Sequence, residues 1–358
     1  MKQKKVVFIS RKWPPAVGGM ETYSVRLCEE LQKHADLVRI VLPGRSDGAP
    51  PSPVALIGFG IRAFWRLLLG ERDADIVHIG DMASWPLALA TLFRSRRPAL
   101  VLSAHGTDVS FPRRGTLPGR LYARHLKFGA RLLPRAQVIA NSRATEAETR
   151  LYGFTQITVV PLASDFARQE RTPDIDKLLF AGRILPLKGL SWFVTNVLEH
   201  LPEGVTLDVA GTIWDKDEAR CLDHSRVTHI GHLDHKALAR RYADSLAVVV
   251  PNLAVPSGQF EGFGLVAVEV AAAGGIVLAS DHGGLSEAVI DGETGLTLPS
   301  GDAKPWIDAI RDLRNWSAER RRQFTDKASA TAHAHFSWER VARDTRDVYA
   351  RAMKVDAP

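Results

Sequence analysis

The 358-residue sequence has only two cysteines, Cys28 and Cys221, far apart and in no Cys-x-x-Cys pair. Neither a disulfide framework nor a thiolate zinc site is in view, and a reducing cytosol is the expected compartment. No uninterrupted run of about 20 apolar residues occurs, so a membrane-spanning helix is not expected. The N-terminal Met1-Lys2-Gln3-Lys4-Lys5 leads into a short apolar run over 6–10, too short for a signal-peptide core and better read as a first buried strand. There is no Gly-x-Gly-x-x-Gly, so a nicotinamide dinucleotide is not indicated. Neither an aromatic-rich RNA motif nor a recognition-helix pattern appears, which argues against nucleic acid as a partner. Asp-x-Asp, the tripeptide of metal-dependent sugar transfer, occurs at 73–75, 174–176 and 215–217. So short a pattern arises by chance, and none of the three follows a strand with a glycine turn; no metal site is expected.

What is present is the composition of a globular chain, 45% hydrophobic and 24% charged. The length exceeds one ordinary core and points to two domains of roughly 150 residues each. In the first half, buried-strand runs at 6–10, 37–42, 76–79, 100–104, 138–140 and 158–161 alternate with amphipathic segments such as 20–33 and 117–133. Strand and helix in alternation predict a parallel, doubly wound sheet. Residues 166–176 are polar, contain Pro173 and read as a linker. The alternation then restarts, with strands at 177–180, 207–210, 227–230, 247–250, 276–279 and 296–298 and helices at 191–201, 235–242, 264–273, 284–290 and 305–315. The expectation is an α/β domain over 1–165, a linker over 166–176 and a second α/β domain over 177–336, the two facing across a cleft. A last helix over 337–358, apolar at Trp338, Val341, Val348 and Tyr349, is a candidate to pack back on the first domain.

The net charge of +7 is unevenly placed: 1–165 carries 24 − 13 = +11 and 166–358 carries 23 − 27 = −4. Arg120, Arg124, Lys127, Arg131 and Arg135 fall near one face of a helix, with Leu121, Phe128 and Leu132 between them. The apolar segment 57–69 carries Arg62 and Arg66, four apart. Such a face suits an anionic membrane surface; a core-facing helix whose cations reach solvent produces the same pattern.

In open α/β sheets ligands lie beyond the carboxyl ends of strands, so motifs there carry most weight. Gly18 and Gly19 follow the first strand and open a helix, where amides and helix dipole favour an anion; a turn that needs glycine reads the same way. His105 precedes Gly106 at a strand end, placed to bond a sugar hydroxyl or a phosphate, or to serve as a structural hydrogen bonder. Arg183 and Lys188 sit in the first strand-to-helix turn of the second half, where two cations offset charge on a leaving diphosphate; solvated surface cations are the alternative. Glu261 precedes a glycine turn through Phe263, Gly264 and Leu265, and Glu269 lies inside the helix that follows, among Val and Ala. A carboxylate there needs partners, and the two vicinal hydroxyls of a ribose would serve.

The ordered set Gly18-Gly19-x-Glu21, His105-Gly106-x-Asp108, Gly182-Arg183 with Lys188-Gly189, Glu261 with Glu269, Gly283-Gly284-x-x-Glu287 and Gly292-x-x-Gly295 resembles glycosyltransferase family 4 of the GT-B fold. The resemblance covers nearly the whole chain. It implies a retaining transferase that takes a sugar from a nucleotide diphosphate donor and needs neither metal nor cofactor. Gly18 and Gly19 would line the diphosphate and sugar, and His105 would contact the sugar. Arg183 and Lys188 would hold the diphosphate. Glu261 would bond sugar hydroxyls, Glu269 the ribose, and amides near Phe263, Gly264 and Leu265 the sugar or phosphate. With the basic first half, it suggests a lipid-linked or polysaccharide acceptor in surface-glycan or glycolipid synthesis, at the cytoplasmic face of a membrane. A hydrolysing nucleotide-sugar 2-epimerase of the same fold, or a non-catalytic nucleotide-sugar-binding protein, are the competing readings. One departure is Pro161-Leu162-Ala163-Ser164-Asp165, where the family often has Pro-x-Gly-Val-Asp.

Overall fold

The computed structural model describes residues 3–16, 18–45, 49–94 and 97–355. The chain forms two compact units, one running Met1–Leu162 and resuming over Trp338–Pro358, the other spanning Ala163–Ser337.

The first unit is a six-stranded, all-parallel sheet. In chain order its elements are β1 (Lys5–Ser10), α1 (Gly19–Leu31), β2 (Asp36–Val41), α2 (Pro53–Trp65), β3 (Ile76–Ile79), α3 (Leu89–Leu92), β4 (Ala99–Ala104), α4 (Thr107–Ser110), α5 (Leu117–Leu132), β5 (Gln137–Ala140), α6 (Arg143–Arg150) and β6 (Ile157–Val159). The strand order is β2-β1-β3-β4-β5-β6. The central strands are mostly apolar because both faces are covered: Val6, Val7, Phe8 and Ile9 of β1 are all buried. Side-chain caps start α2, α5 and α6, with the Ser52, Thr116 and Ser142 hydroxyls accepting from the amides of Ala55, Gly119 and Thr145.

One expectation is corrected here. α2 continues through a π-helical turn, Arg66–Gly70, so that Pro53–Gly70 is one helix of 18 residues, long and apolar enough by length and composition to cross a membrane. Arg62 and Arg66 break the apolar run in the sequence, but four residues apart they share one side of the helix.

The second unit repeats the architecture with β7 (Asp174–Ala181), α7 (Leu190–Asn196), β8 (Thr206–Ala210), β9 (Val227–Gly231), α8 (His235–Asp244), β10 (Ser245–Val250), α9 (Leu265–Ala273), β11 (Val277–Ser280), α10 (Leu285–Ala288), β12 (Leu296–Leu298), α11 (Ala303–Arg314) and α12 (Ala318–His335). The order β12-β11-β10-β7-β8-β9 is again parallel. Its first strand begins at Asp174, inside the segment read as a linker, because the Arg314 guanidinium holds the Asp176 carboxylate at 2.6 Å and fixes the strand's polar start. Among the described residues no non-glycine has a positive φ, so Ala163, at the family's glycine position, sits buried in an ordinary conformation.

The last helix, α13 (Trp338–Val355), belongs to the first unit and packs on α1, β4 and β5. The Arg340 guanidinium donates to the carbonyls of Pro161 and Leu162, tying the helix to the segment where the chain leaves that unit. Deeper in, His78 Nδ1 pairs with the Tyr349 hydroxyl at 2.7 Å, His78 Nε2 with Ser103 Oγ at 2.7 Å, and Ser103 Oγ with the Tyr23 hydroxyl at 2.8 Å. All four groups are buried, and burial pushes the His78 imidazole down to about 3.

Candidate functional site

Each sheet has one point where the direction of strand succession reverses, between β1 and β3 in the first unit and between β7 and β10 in the second. The candidate residues follow the carboxyl ends of β1, β7 and β10 at these points and of β4 beside the first, where the crevice of a doubly wound sheet opens.

In the second unit the turn after β7 carries Arg183 and Lys188. Gly189, at φ +68°, closes that turn against β10: a Cβ there would stand 2.0 Å from the Pro251 carbonyl. Only glycine permits the approach, and it brings Lys188 Nζ to 2.5 Å from Glu261 Oε2, with the two side chains 13% and 21% exposed. Asn252 Nδ2, just past β10, donates to the same carboxylate oxygen at 3.3 Å. Burial pushes the Glu261 carboxyl up, but Lys188, Arg183 and Asn252 together outweigh it and hold the carboxyl below its ordinary value. Arg183 is exposed, its guanidinium 4.8 Å from the Trp214 ring.

The Glu261 loop is held from below by the second glycine turn. Gly284 N–H donates to the Glu261 carbonyl at 2.8 Å, and a Cβ at Gly284 would lie 2.2 Å from the Gly262 carbonyl. Gly264, at φ +96°, then starts α9. The Phe263 ring is buried, edge-on to Phe336, so that this residue can offer a ligand only its backbone. The amides of Phe263, Gly264 and Leu265 donate to no protein group among the described residues. Four residues past Leu265, on the same helix face, Glu269 accepts from the Tyr242 hydroxyl at 3.0 Å. Burial, aided by the Asp165 charge and opposed by Tyr242 and Lys188, raises the Glu269 carboxyl to about 7.

In the first unit Gly18 caps α1 with extended backbone, and a Cβ there would meet the Glu21 carboxylate at 2.6 Å. Gly19 is the first residue of that helix. His105, at the end of β4, stands edge-on to Tyr23 of α1 with ring centroids 4.6 Å apart. Its Nε2 lies 3.0 Å from the Gly80 carbonyl, which can only accept, so Nε2 carries a proton. Nδ1 has no partner among the described residues. The Asp108 carboxylate fixes the turn, accepting from His105 N–H at 2.8 Å and Met82 N–H at 3.1 Å. Burial pushes that carboxyl up, against His105 and both amides.

The second unit thus brings Arg183, Lys188, Glu261, Phe263, Gly264, Leu265 and Glu269 to one sheet end, and the first brings Gly18, Gly19 and His105 to another. Asn252 and Asp81 were missed. Each lies two residues past a strand end, so the rule that located the other residues applies to them. Asp81 pairs with Arg11 at 3.0 Å. Tyr242, from α8, carried no local signal.

The three Asp-x-Asp tripeptides are held by the fold itself. Asp73 and Asp75 pair with Lys5 and Lys4, Asp176 with Arg314, and Asp215 accepts from the amides of Asp217 and Glu218. Among the described residues no group of three or more His, Cys, Asp or Glu is placed to hold a metal ion.

Two doubly wound parallel sheets with sites at their reversal points define the GT-B class. The chain belongs to the group 1, family 4 glycosyltransferases: residues 17–168 match the model described as Glycosyltransferase Family 4, and 175–315 that of Glycosyl transferases group 1. It is 34% identical over 216 residues to a glycogen synthase of Mycobacterium tuberculosis, covering 56% of this chain and 50% of that one. It is 33% identical over 256 residues to a D-inositol 3-phosphate glycosyltransferase of Xylanimonas cellulosilytica, covering 63% and 60%. The chain thus spans about half the length of the curated relatives it matches. The fold is shared with Anabaena HepE, solved in complex with UDP-glucose, at a TM-score of 0.73 and 18% identity over 97% of this chain and 99% of that one.

Proposed function

We propose that this chain transfers a glycosyl group from a nucleotide diphosphate sugar to an acceptor hydroxyl, with retention at the anomeric carbon and without a metal. The observation that carries the reading is the Lys188–Glu261–Asn252 cluster beside the unpaired amides at the start of α9. In the reaction the bond from the anomeric carbon to the β-phosphate oxygen breaks. A bond from that carbon to the acceptor oxygen forms, and the acceptor proton is released. Charge builds on the departing diphosphate, and Lys188, Arg183 and the α9 amides are groups suited to receive it. Glu261, kept ionised by its neighbours, accepts hydrogen bonds from sugar hydroxyls. Glu269 accepts from the ribose, and His105 Nδ1 is free to accept from the sugar. Two cations and a helix N-terminus supply the positive charge that a divalent ion supplies elsewhere. The UDP-glucose complex of the Anabaena neighbour supports a nucleotide-sugar donor, and the basic first unit supports a lipid-linked or polysaccharide acceptor.

The test is nucleotide diphosphate release from a panel of UDP-, GDP- and ADP-sugars, with and without EDTA, in wild type and Lys188→Ala. Release from one donor, unchanged by EDTA and reduced at least about 100-fold in the variant, is expected. Loss of release with EDTA, or an unimpaired variant, overturns the assignment.

A further inference from the structure

The first unit turns one of its most apolar surfaces outward. On α2 and its π-helical extension, Val54, Ile57, Ile61, Trp65 and Leu69 follow at spacings of three and four and are 80%, 63%, 56%, 53% and 57% exposed. The opposite side of the same helix, Phe59, Ala63 and Leu67, is fully packed in the core. An amphipathic helix of a soluble domain has one apolar side; this one has two, and only one is covered. Arg62 and Arg66 flank the uncovered stripe, and no acidic residue lies between Pro53 and Gly70.

α5 presents a second strip of the same kind. Leu117, Leu121, Phe128 and Leu132 are exposed, and interleaved with them are the exposed Arg120, Arg124, Lys127 and Arg131. These four cations and Arg62 have no ion pair or hydrogen bond among the described residues. No acidic residue occurs between Asp108 and Glu146. Both helices lie on one side of the sheet: Phe59, Ala63 and Leu67 of α2 share a single core with Leu126 and Ala130 of α5. Both also pack on the 3-10 turn Met82–Ala88, where Trp85 meets Gly129. Apolar stripes bordered by unpaired cations match an interface that is apolar below and negatively charged above.

We propose that this side of the first unit is a docking surface for an anionic lipid bilayer, with α2 lying in the interface and α5 supplying the charge. α2 does not span: Phe59, Ala63 and Leu67 would leave the core, and the helix links two strands of one sheet. The inference is independent of the donor-site reading, since vesicle binding needs no nucleotide.

The test is co-sedimentation of the full chain with phosphatidylcholine vesicles, with and without about a third phosphatidylglycerol, at low and high salt. Binding to the anionic vesicles only, weakened by salt, is expected. Ile61→Ser with Trp65→Ser should reduce partition at least about 10-fold. Arg120→Gln with Arg124→Gln and Arg131→Gln should reduce it about 100-fold, at roughly fivefold per charge. All five side chains are exposed, and a circular dichroism melt checks that each variant is folded. Nucleotide diphosphate release from soluble donor should persist in both variants, which separates this outcome from failure of the donor site. Equal binding to neutral and anionic vesicles, binding to neither, or unchanged binding by folded variants overturns the proposal. So does a dimer that the Trp65 change dissociates while vesicles are ignored, which would assign the face to a second copy of the chain.

Discussion

Replacing Glu269 by Gln tests how a carboxylate is kept in an apolar helix. Burial raises this carboxyl from 4.5 to about 7, with Asp165 adding and Tyr242 and Lys188 opposing. A raised native value means the folded chain binds more protons than the unfolded one between the two limits. Stability therefore falls as the pH climbs from 4.5 to about 7, and the full cost stands above that. At about 1.4 kcal/mol per tenfold change, the cost is at most about 3 kcal/mol at pH 8 and under about 1 kcal/mol at pH 5. Glutamine does not titrate and can still accept from the Tyr242 hydroxyl. Glu269→Gln should therefore be more stable than wild type by up to about 3 kcal/mol at pH 8, with the advantage shrinking below about 1 kcal/mol at pH 5. Urea unfolding of both proteins across this range, followed by tryptophan fluorescence, measures it. A stability difference that is constant with pH, or that grows on acidification, refutes the reasoning. Donor affinity should move the opposite way, because ribose hydroxyls need the ionised form: wild-type affinity for a nucleotide sugar should rise about 10-fold from pH 6 to pH 8 and the variant's should stay flat.

Other outcomes follow from the same geometry. Tyr349→Phe leaves the buried Nδ1 of His78 without its partner and should cost about 1–3 kcal/mol in urea unfolding; a loss below about 0.5 kcal/mol would contradict the network. His78, neutral when folded, contributes stability above pH 6.5 that is lost as pH falls toward 3, so His78→Gln should flatten the acid limb of the stability profile. Gly189→Ala forces both a left-handed backbone and a clash with Pro251, and should cost more than about 2 kcal/mol by the same assay. A double-mutant cycle of Lys188→Met and Glu261→Gln, read in donor affinity, should give a coupling of about 1–3 kcal/mol; additive effects would show that the pair does not act as one unit.

The doubly wound sheets were legible because parallel strands buried on both faces appear as short continuous apolar runs, such as 6–10 and 247–250. The strand-end turns were legible through glycine, since Gly189 and Gly284 stand where backbone meets backbone; the strand order that makes two of them reversal points was not. α12 left no such trace: its buried side includes Thr325, Ala328, Ser329 and Ala332, too small and too polar to register as a stripe. The true orientation of α2 was equally hidden, because apolar residues on both sides give no periodicity from which to choose the inner one. Tyr242 and the chain Tyr349–His78–Ser103–Tyr23 depend on contacts between residues up to 271 positions apart, and no local pattern encodes them.

Because α13 completes the first sheet, the order of synthesis and the order of assembly differ. All six strands of that sheet have been synthesised once Leu162 is made, yet the helix that covers β4 and β5 begins only at Trp338. At ordinary elongation rates the interval is about 10 to 35 seconds. Throughout it, His78 lacks the Tyr349 hydroxyl and the face meant for α13 is bare. The middle unit, contiguous from Ala163 to Ser337, can fold meanwhile. The nascent chain can therefore complete its second unit first, while the first unit waits on α13.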